Sequence, residues 1–415
     1  METESVVNTL RAELEKHELS TDEKKRIMRK LMEDYSAILA KSYEKALQRC
    51  GDISMLQVYP EDVAVAAADL RFEMIGSARV REAIDDSSEY LREIGQDGKW
   101  GWWSWIDPPD LKSAITKIWS TALTIRSLIR AGVSSTHPQI AKGISWLLDN
   151  KIQNQPASWA RLPAMYVEEH NSDCSVPNTY ETCCVLLTLL EISEVQTSVR
   201  QIVFDAIKNL VAKQHEKGYW SALLTEEMHL SGQPDNGATS MALKTITRAK
   251  NHGFETADGN RAGGKATEWL KSQQRICGAW GDTHDEVGNT SKTSDVIRAL
   301  AESDELKNRE NIDKGAEWLI RNQGIEEDGK GWGWRRTDQA GRLVASNIEN
   351  TAAALIALLR AGYSPDAAPI QGAAVWLLHH MNNDNWSADT PRVILALCEY
   401  LRVAKLKSET TKGTK

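Results

Sequence analysis

Four stretches of the chain place an Asn or Asp four residues ahead of a Thr: Asn178 to Thr182, Asp235 to Thr239, Asn289 to Thr293 and Asn347 to Thr351. Short polar side chains of this kind accept hydrogen bonds from the free N–H groups of a helix's first turn, so each stretch reads as a helix start. Three of the starts carry a carboxyl group, Glu181, Asp235 and Glu349, in related positions. Carboxyl groups so placed are candidates for acid–base work. Lys117, Lys292, Arg335 and Arg336 supply cations near the same helix ends, with Trp119, Asn178 and Tyr180 beside them. The polar loops that lead into these helices add Arg161, His229, Asp282 and His284. Such a rim can hold a diphosphate or another acidic head group through charge-assisted hydrogen bonds. Capping and hydration account for each residue taken singly; the case for a substrate site rests on their grouping.

Other chemistries find less support. The six cysteines include no CxxC pair, and Cys183 and Cys184 are neighbours, so no metal-binding residues are expected. The only cofactor to expect is Mg²⁺, and only with a diphosphate substrate. A formal charge of −8 and a pI of 5.7 argue against nucleic acid as a partner. No apolar run approaches the roughly 20 residues of a membrane span. The N-terminus METESVVNTLRAELEK is charged early and lacks the apolar region of a signal peptide. Reduced thiols and this N-terminus give the expectation of a cytoplasmic protein.

The elements that must position the rim follow from tryptophan. The chain holds 15 Trp against 3 Phe. Six segments, most opening on a Trp-Leu pair, close on Trp100, Trp159, Trp220, Trp280, Trp332 and Trp386, spaced by 59, 61, 60, 52 and 54 residues. A fixed period of this size marks a repeat architecture. Ahead of each closing Trp the polarity is mixed, as in DKGAEWLIRNQ, which suits an amphipathic outer helix. Behind it the sequence is apolar nearly all round, as in TCCVLLTLLEI and TAAALIALLRAG, which suits a helix buried on most sides. The pattern predicts outer helices at 80–94, 138–151, 198–214, 262–274, 309–322 and 368–381. Inner helices are expected at 111–131, 178–193, 236–250, 290–303, 347–361 and 389–404. The fold class is therefore all-α, an (α/α)6 barrel over residues 73–405. Residues 1–72 form an N-terminal helical extension with a possible role in recruiting a protein partner, and the basic residues 406–415 a loose tail.

The segments KGAEWLIRNQGIEEDGKGWGW and KATEWLKSQQRICGAWGD resemble the QW repeats of the terpenoid cyclase and prenyltransferase superfamily, which includes the squalene-hopene cyclases. The resemblance spans about residues 80–404. It implies that Gln214, Gln273 and Gln323 cap outer helices and pack on Trp220, Trp280 and Trp332; the remaining copies are degenerate, with Gly95, Lys151 and Met381 at the Gln position. The family's DxDDT acid motif falls on Pro177-Asn178-Thr179-Tyr180-Glu181-Thr182, where Glu181 alone survives as an acid. Asp85-Asp86-Ser87-Ser88-Glu89 has the spacing of a DDxxD metal motif but falls on an outer helix, where a solvated face is expected. What the resemblance implies is an enzyme acting on an isoprenoid, a diphosphate among the candidates, inside the barrel. The altered motifs leave an alternative, a non-catalytic or regulatory barrel that binds a ligand or a protein.

Overall fold

Helix starts and stops follow the capping logic of the sequence. In the computed structural model, which describes residues 77, 79–95, 99–100, 117–153, 157–161, 176–192, 197–325, 332–337, 343–380 and 386–413, α1 runs over 79–94. Then come α2 (Ile118–Ala131), α3 (Pro138–Asp149), α4 (Thr179–Leu189), α5 (Thr197–Ala212) and a short α6 (Glu226–Ser231). They are followed by α7 (Asn236–Asn251), α8 (Ala257–Ser272), α9 (Thr290–Asp304) and α10 (Arg309–Arg321). Three strands, β1 (Gln323–Ile325), β2 (Trp332–Thr337) and β3 (Leu343–Ser346), precede α11 (Ile348–Arg360), α12 (Ala368–His380) and α13 (Trp386–Gly413). Asn178, Asp235, Asn289 and Asn347 each cap the helix that follows, their side chains accepting from first-turn N–H groups.

The inner helices close into a ring. α2 packs on α4, α4 on α7, α7 on α9, α9 on α11, α11 on α13, and α13 returns to α2. Outside them, α3, α5, α8, α10 and α12 each lean on the inner helices beside them, and α1 buries Val80, Ile84 and Leu91 in the same core. This is the expected (α/α)6 barrel. Burial separates its two layers: α4 is buried at nearly every position, whereas α10 buries only Ile312, Gly315, Ala316 and Leu319.

Tryptophan staples the layers together. The indole N–H of Trp100, Trp159, Trp220, Trp280 and Trp334 donates to the carbonyl of Leu91, Leu147, Leu210, Leu270 and Leu319, on the outer helix just before it. The backbone N–H of each of those tryptophans donates to Thr121, Thr182, Thr239, Thr293 and Thr351 on the inner helix just after it. The Thr four residues past each cap is thus explained: its hydroxyl sits one turn into the helix, facing the staple. In the fifth repeat the stapling residue is Trp334, not Trp332. Leu319 and Trp334 stand 15 residues apart, against 10 for Leu210 and Trp220. The extra chain pairs as the antiparallel sheet β1–β2–β3, an element the sequence reading treats as loop.

Glutamine joins neighbouring repeats. Gln214 donates to the carbonyls of Gly218 and Ala262, and Gln274 donates in the same way to Gly278 and Asn311. Gln323 reaches Pro369. Gln273 is the C-cap of the outer helix α8, but its side-chain amide goes to Ser272, so the tie to the neighbouring repeat falls to Gln274. Gly218 and Gly278 sit at φ of 99° and 96°, and a Cβ there would stand 2.7 and 2.4 Å from the carbonyl oxygens of Lys265 and Lys314. Only glycine fits both demands. In the first repeat Gly95 occupies the Gln position, and Gln139 of the next repeat reaches back to the carbonyls of Arg92 and Gly95. The tie survives with donor and acceptor exchanged.

A belt of alternating charge rings the barrel on the side away from the rim: Arg130, Glu191, Arg248, Glu302, Arg360 and Glu399, near the C-terminal ends of the first five inner helices and midway along α13. Direct ion pairs at 2.8, 2.9, 2.7 and 2.6 Å join Arg130 to Glu191, Glu191 to Arg248, Arg248 to Glu302, and Arg360 to Glu399. Burial raises the proton affinity of Glu191 and Glu302, but the surrounding guanidinium groups outweigh it and hold both carboxyls down at about 2. Cations at helix C-termini also oppose the negative end of the helix dipole. α13 continues to Gly413, so helix covers most of the stretch expected as a loose tail. The extension expected over 1–72 lies outside the described residues.

Candidate functional site

The N-terminal ends of the inner helices surround a central cavity of 230 Å³. Its apolar wall comes from Trp119, Leu123, Tyr180, Met241, Ile356 and Leu395, and its charged wall from Arg126, Lys244, Lys292, Asp295, Arg298, Glu349 and Arg392. The volume lies just under the roughly 300 Å³ at which ligand sites begin. It suits one short molecule and not a long polyene. A second cavity of 280 Å³ lies at the charged belt and shares Arg126, Arg298, Ile356 and Leu395 with the first, so these four side chains lie between the two. A larger groove of 940 Å³ lies outside the barrel against α5, away from the convergent charges.

The rim is organised around Lys292. Its Nζ donates to the Tyr180 hydroxyl at 2.9 Å and pairs with Asp282 at 3.0 Å, with Asp235 at 3.9 Å. Tyr180 in turn donates to both carboxyl oxygens of Asp235 at 2.8 and 2.9 Å, while Asp235 caps α7 through Gly237 and Ala238. Gly237 makes room for this cluster: a Cβ there would lie 2.4 Å from the Tyr180 hydroxyl and 2.5 Å from Lys292 Nζ. Burial lowers the proton affinity of Lys292, but Tyr180 and the two carboxylates outweigh it and keep it well above the usual lysine range. Burial pushes the Tyr180 phenol well up. Trp119 meets Tyr180 edge-on, ring centres 6.5 Å apart.

Glu181 is placed differently. The stripe that holds Cys184 and Thr188, both touching α2, includes Glu181 three residues earlier. Glu181 shares that face of α4 and is not among the residues that line the cavity. It is buried, and its Oε2 has no hydrogen-bond partner among the described residues. Burial raises its proton affinity to about 7, opposed by its own backbone N–H and by Arg161. Near neutrality about half of it carries a proton, as an acid catalyst requires.

The other expected residues divide cleanly. Glu349 lines the cavity and pairs with Arg392 at 3.1 Å. Asn178 is a cap whose side chain accepts from Tyr180 N–H, and Lys117 holds the N-cap position of α2. His284 is exposed in the loop before α9, away from the residues that line the cavity. His229 lies on α6, and Arg335 and Arg336 on β2; their side chains are outside the described set. Asp85 and Asp86 are exposed on α1, as expected of a solvated face. Among the described residues no three His, Cys, Asp or Glu side chains gather closely enough to hold a metal. The sequence reading missed Arg126, Lys244, Asp295, Arg298 and Arg392. The signal was present as spacing: Trp119, Leu123, Arg126 and Arg130 fall on one stripe of α2, and Met241, Lys244 and Arg248 on one stripe of α7.

Comparison with known proteins agrees with this architecture. The family model of the squalene-hopene cyclase C-terminal domain matches residues 115–393. A dammaradiene synthase from Dryopteris crassirhizoma is 23% identical over 289 residues, 62% of this chain and 42% of that protein. The chain thus spans less than half the length of that relative. Among solved structures, a type II terpene cyclase from Scytonema in complex with its substrate geranylgeranyl dihydroxybenzoate superposes with a TM-score of 0.57 at 12% identity, covering 79% of this chain and 99% of that one. A protein from Actinoplanes superposes with a TM-score of 0.53 at 15% identity, covering 80% of this chain and 100% of that one.

Proposed function

Since the chain belongs to the squalene-hopene cyclase C-terminal domain family, we propose that it is a terpenoid-cyclase-like enzyme for a short isoprenoid with an anionic head group, with Glu181 as the proton donor. The observation that carries this reading is the charge of the central cavity. Arg126, Lys292, Arg298 and Arg392 line it together with Asp295 and Glu349. Arg298 pairs with Asp295 and Arg392 with Glu349, while Arg126 and Lys292 pair with Glu191 and Asp282 outside the lining. The lining itself thus carries more cations than carboxylates beside an aromatic and aliphatic wall. That wall suits a hydrocarbon tail, while the guanidinium and ammonium groups suit a phosphate or carboxylate head. The faces of Trp119 and Tyr180 favour positive charge that develops along the tail. Glu181, with its raised proton affinity, stands where the resembling cyclases keep their acid.

Mg²⁺ would enter only with a diphosphate substrate. Asp235 and Asp282 are engaged by Lys292, and Glu349 by Arg392. These carboxylates do not fit a resident ion, and head-group neutralisation falls to the side-chain cations. One observation favours a second reading, a barrel that binds the same ligand without turning it over: Glu181 is not itself among the lining residues. Incubation with geranyl and farnesyl diphosphates, with products resolved by gas chromatography and mass spectrometry, separates the two. Cyclised products from the wild type, lost in Glu181→Gln while binding persists, support the enzyme. Binding without product from any substrate supports the second reading.

A further inference from the structure

Lys244 is a buried side chain whose nitrogen is poorly satisfied among the described residues. It projects from the middle of α7 into the central cavity and is only 2% exposed. Its sole hydrogen-bond partner among the described residues is the Met241 thioether, 3.4 Å away, a weak acceptor. The charged groups that act on it come from two helices: Arg126 on α2, and Arg298, Asp295 and Glu302 on α9. Each of these carboxylates already serves a guanidinium, Asp295 that of Arg298 and Glu302 that of Arg248.

We propose that Lys244 is a covalent attachment point for a small aldehyde or ketone that enters the central cavity, which it captures as an imine. A buried ammonium without a carboxylate partner is strongly disfavoured, so the resident form is the free amine. Burial first, and then the Arg298 and Arg126 charges, push its proton affinity well below the ordinary lysine value. A buried free amine beside other cations is an activated nucleophile. The nitrogen lone pair forms a C–N bond to the carbonyl carbon while the π pair moves to oxygen. Arg126 and Arg298 line the same cavity and can stabilise that oxygen as charge develops. A proton passes from nitrogen to oxygen to give the carbinolamine. Its hydroxyl then leaves as water with the second N–H proton, and C=N remains. Amine and carbonyl become imine and water with no change of oxidation state. This chemistry goes beyond the isoprenoid reading and does not depend on it.

Wild-type protein incubated with benzaldehyde and sodium cyanoborohydride at pH 7 tests the proposal, because the hydride donor converts an imine to a stable benzylamine that peptide mapping locates. Lys244 should carry the benzyl group at least tenfold more than any surface lysine, which is almost wholly protonated at that pH. Lys244→Met should lose this adduct alone. Ala353→Phe, which narrows the cavity from α11 without touching the amine, should protect Lys244 from benzaldehyde and leave surface labelling unchanged. The wild-type mapping decides the matter even where the Lys244 variant fails to fold. Recovery of the Lys244 peptide unmodified while surface lysines are labelled would overturn the proposal. Labelling of Lys244 that Ala353→Phe leaves unchanged would overturn the cavity as its route.

Discussion

Replacing Glu181 by Gln should stabilise the protein at alkaline pH, although it removes a charge from a helix start, where charge is ordinarily favourable. In the folded chain burial raises the carboxyl from its ordinary 4.5 to about 7. The folded state therefore holds a proton that the unfolded state releases, and stability falls as pH rises between these two values. At about 1.4 kcal/mol for each tenfold change in proton affinity, the loss amounts to about 3 kcal/mol above pH 7. Below pH 4.5 the carboxyl is neutral in both states and the loss vanishes. Gln has the same shape and never ionises, so it escapes the loss. The favourable helix-end interaction, about 0.3–1 kcal/mol, opposes the effect but is too small to reverse it. Urea unfolding of both proteins at pH 5 and pH 8 supplies the comparison. The two should differ by no more than about 1 kcal/mol at pH 5, with Glu181→Gln more stable by about 2–3 kcal/mol at pH 8. Parallel stability at both pH values would show that Glu181 is not a buried acid and would remove the physical basis for its role as proton donor.

Trp280→Ala and Trp334→Ala should each cost about 3–5 kcal/mol in urea unfolding, as expected for a fully buried aromatic, with the stapling hydrogen bond lost as well. The carboxyls of Glu191 and Glu302 lie at about 2 when folded, so the belt contributes stability above pH 4.5 that disappears as pH falls toward 2. Glu191→Gln should cost about 3–5 kcal/mol at pH 7 by leaving guanidinium groups buried and unpaired, and its acid unfolding profile should be flatter than that of the wild type. Gly237→Ala should cost about 1–3 kcal/mol through overpacking against Tyr180 and Lys292, and it should weaken binding of an anionic ligand measured by calorimetry.

The barrel was legible because its signal is repeated. Capping residues at Asn178, Asp235, Asn289 and Asn347 set the inner helix starts, and the observed helices begin within one residue of those positions. The stapling register was harder to read: GKGWGW offers two tryptophans, and only the pairing of β1 with β2 brings Trp334 rather than Trp332 to Leu319. The same ambiguity separates Gln273 from Gln274, because adjacent residues on a helix end point in different directions. Of the site, the helix-start residues Tyr180, Asp235, Lys292 and Glu349 were found because caps mark their neighbourhood. Lys244, Arg126 and Arg298 lie mid-helix, where a charged residue inside an apolar run reads as solvent-facing. Only ring closure turns their stripe toward the axis. The charge belt was hidden for the same reason, since its partners come from different repeats.

Calorimetric titration with geranyl diphosphate reports whether the cavity between the inner helix starts takes an anionic isoprenoid. Wild-type protein should bind saturably with one molecule per chain, and affinity should fall with ionic strength as exposed charge is screened. Ala353→Phe, which fills the cavity from α11 while sparing every charged group that lines it, should abolish the heat signal and retain the helical circular dichroism of the wild type. Equal binding by wild type and Ala353→Phe, or no binding by the wild type, would show that the cavity is not the site of an anionic isoprenoid.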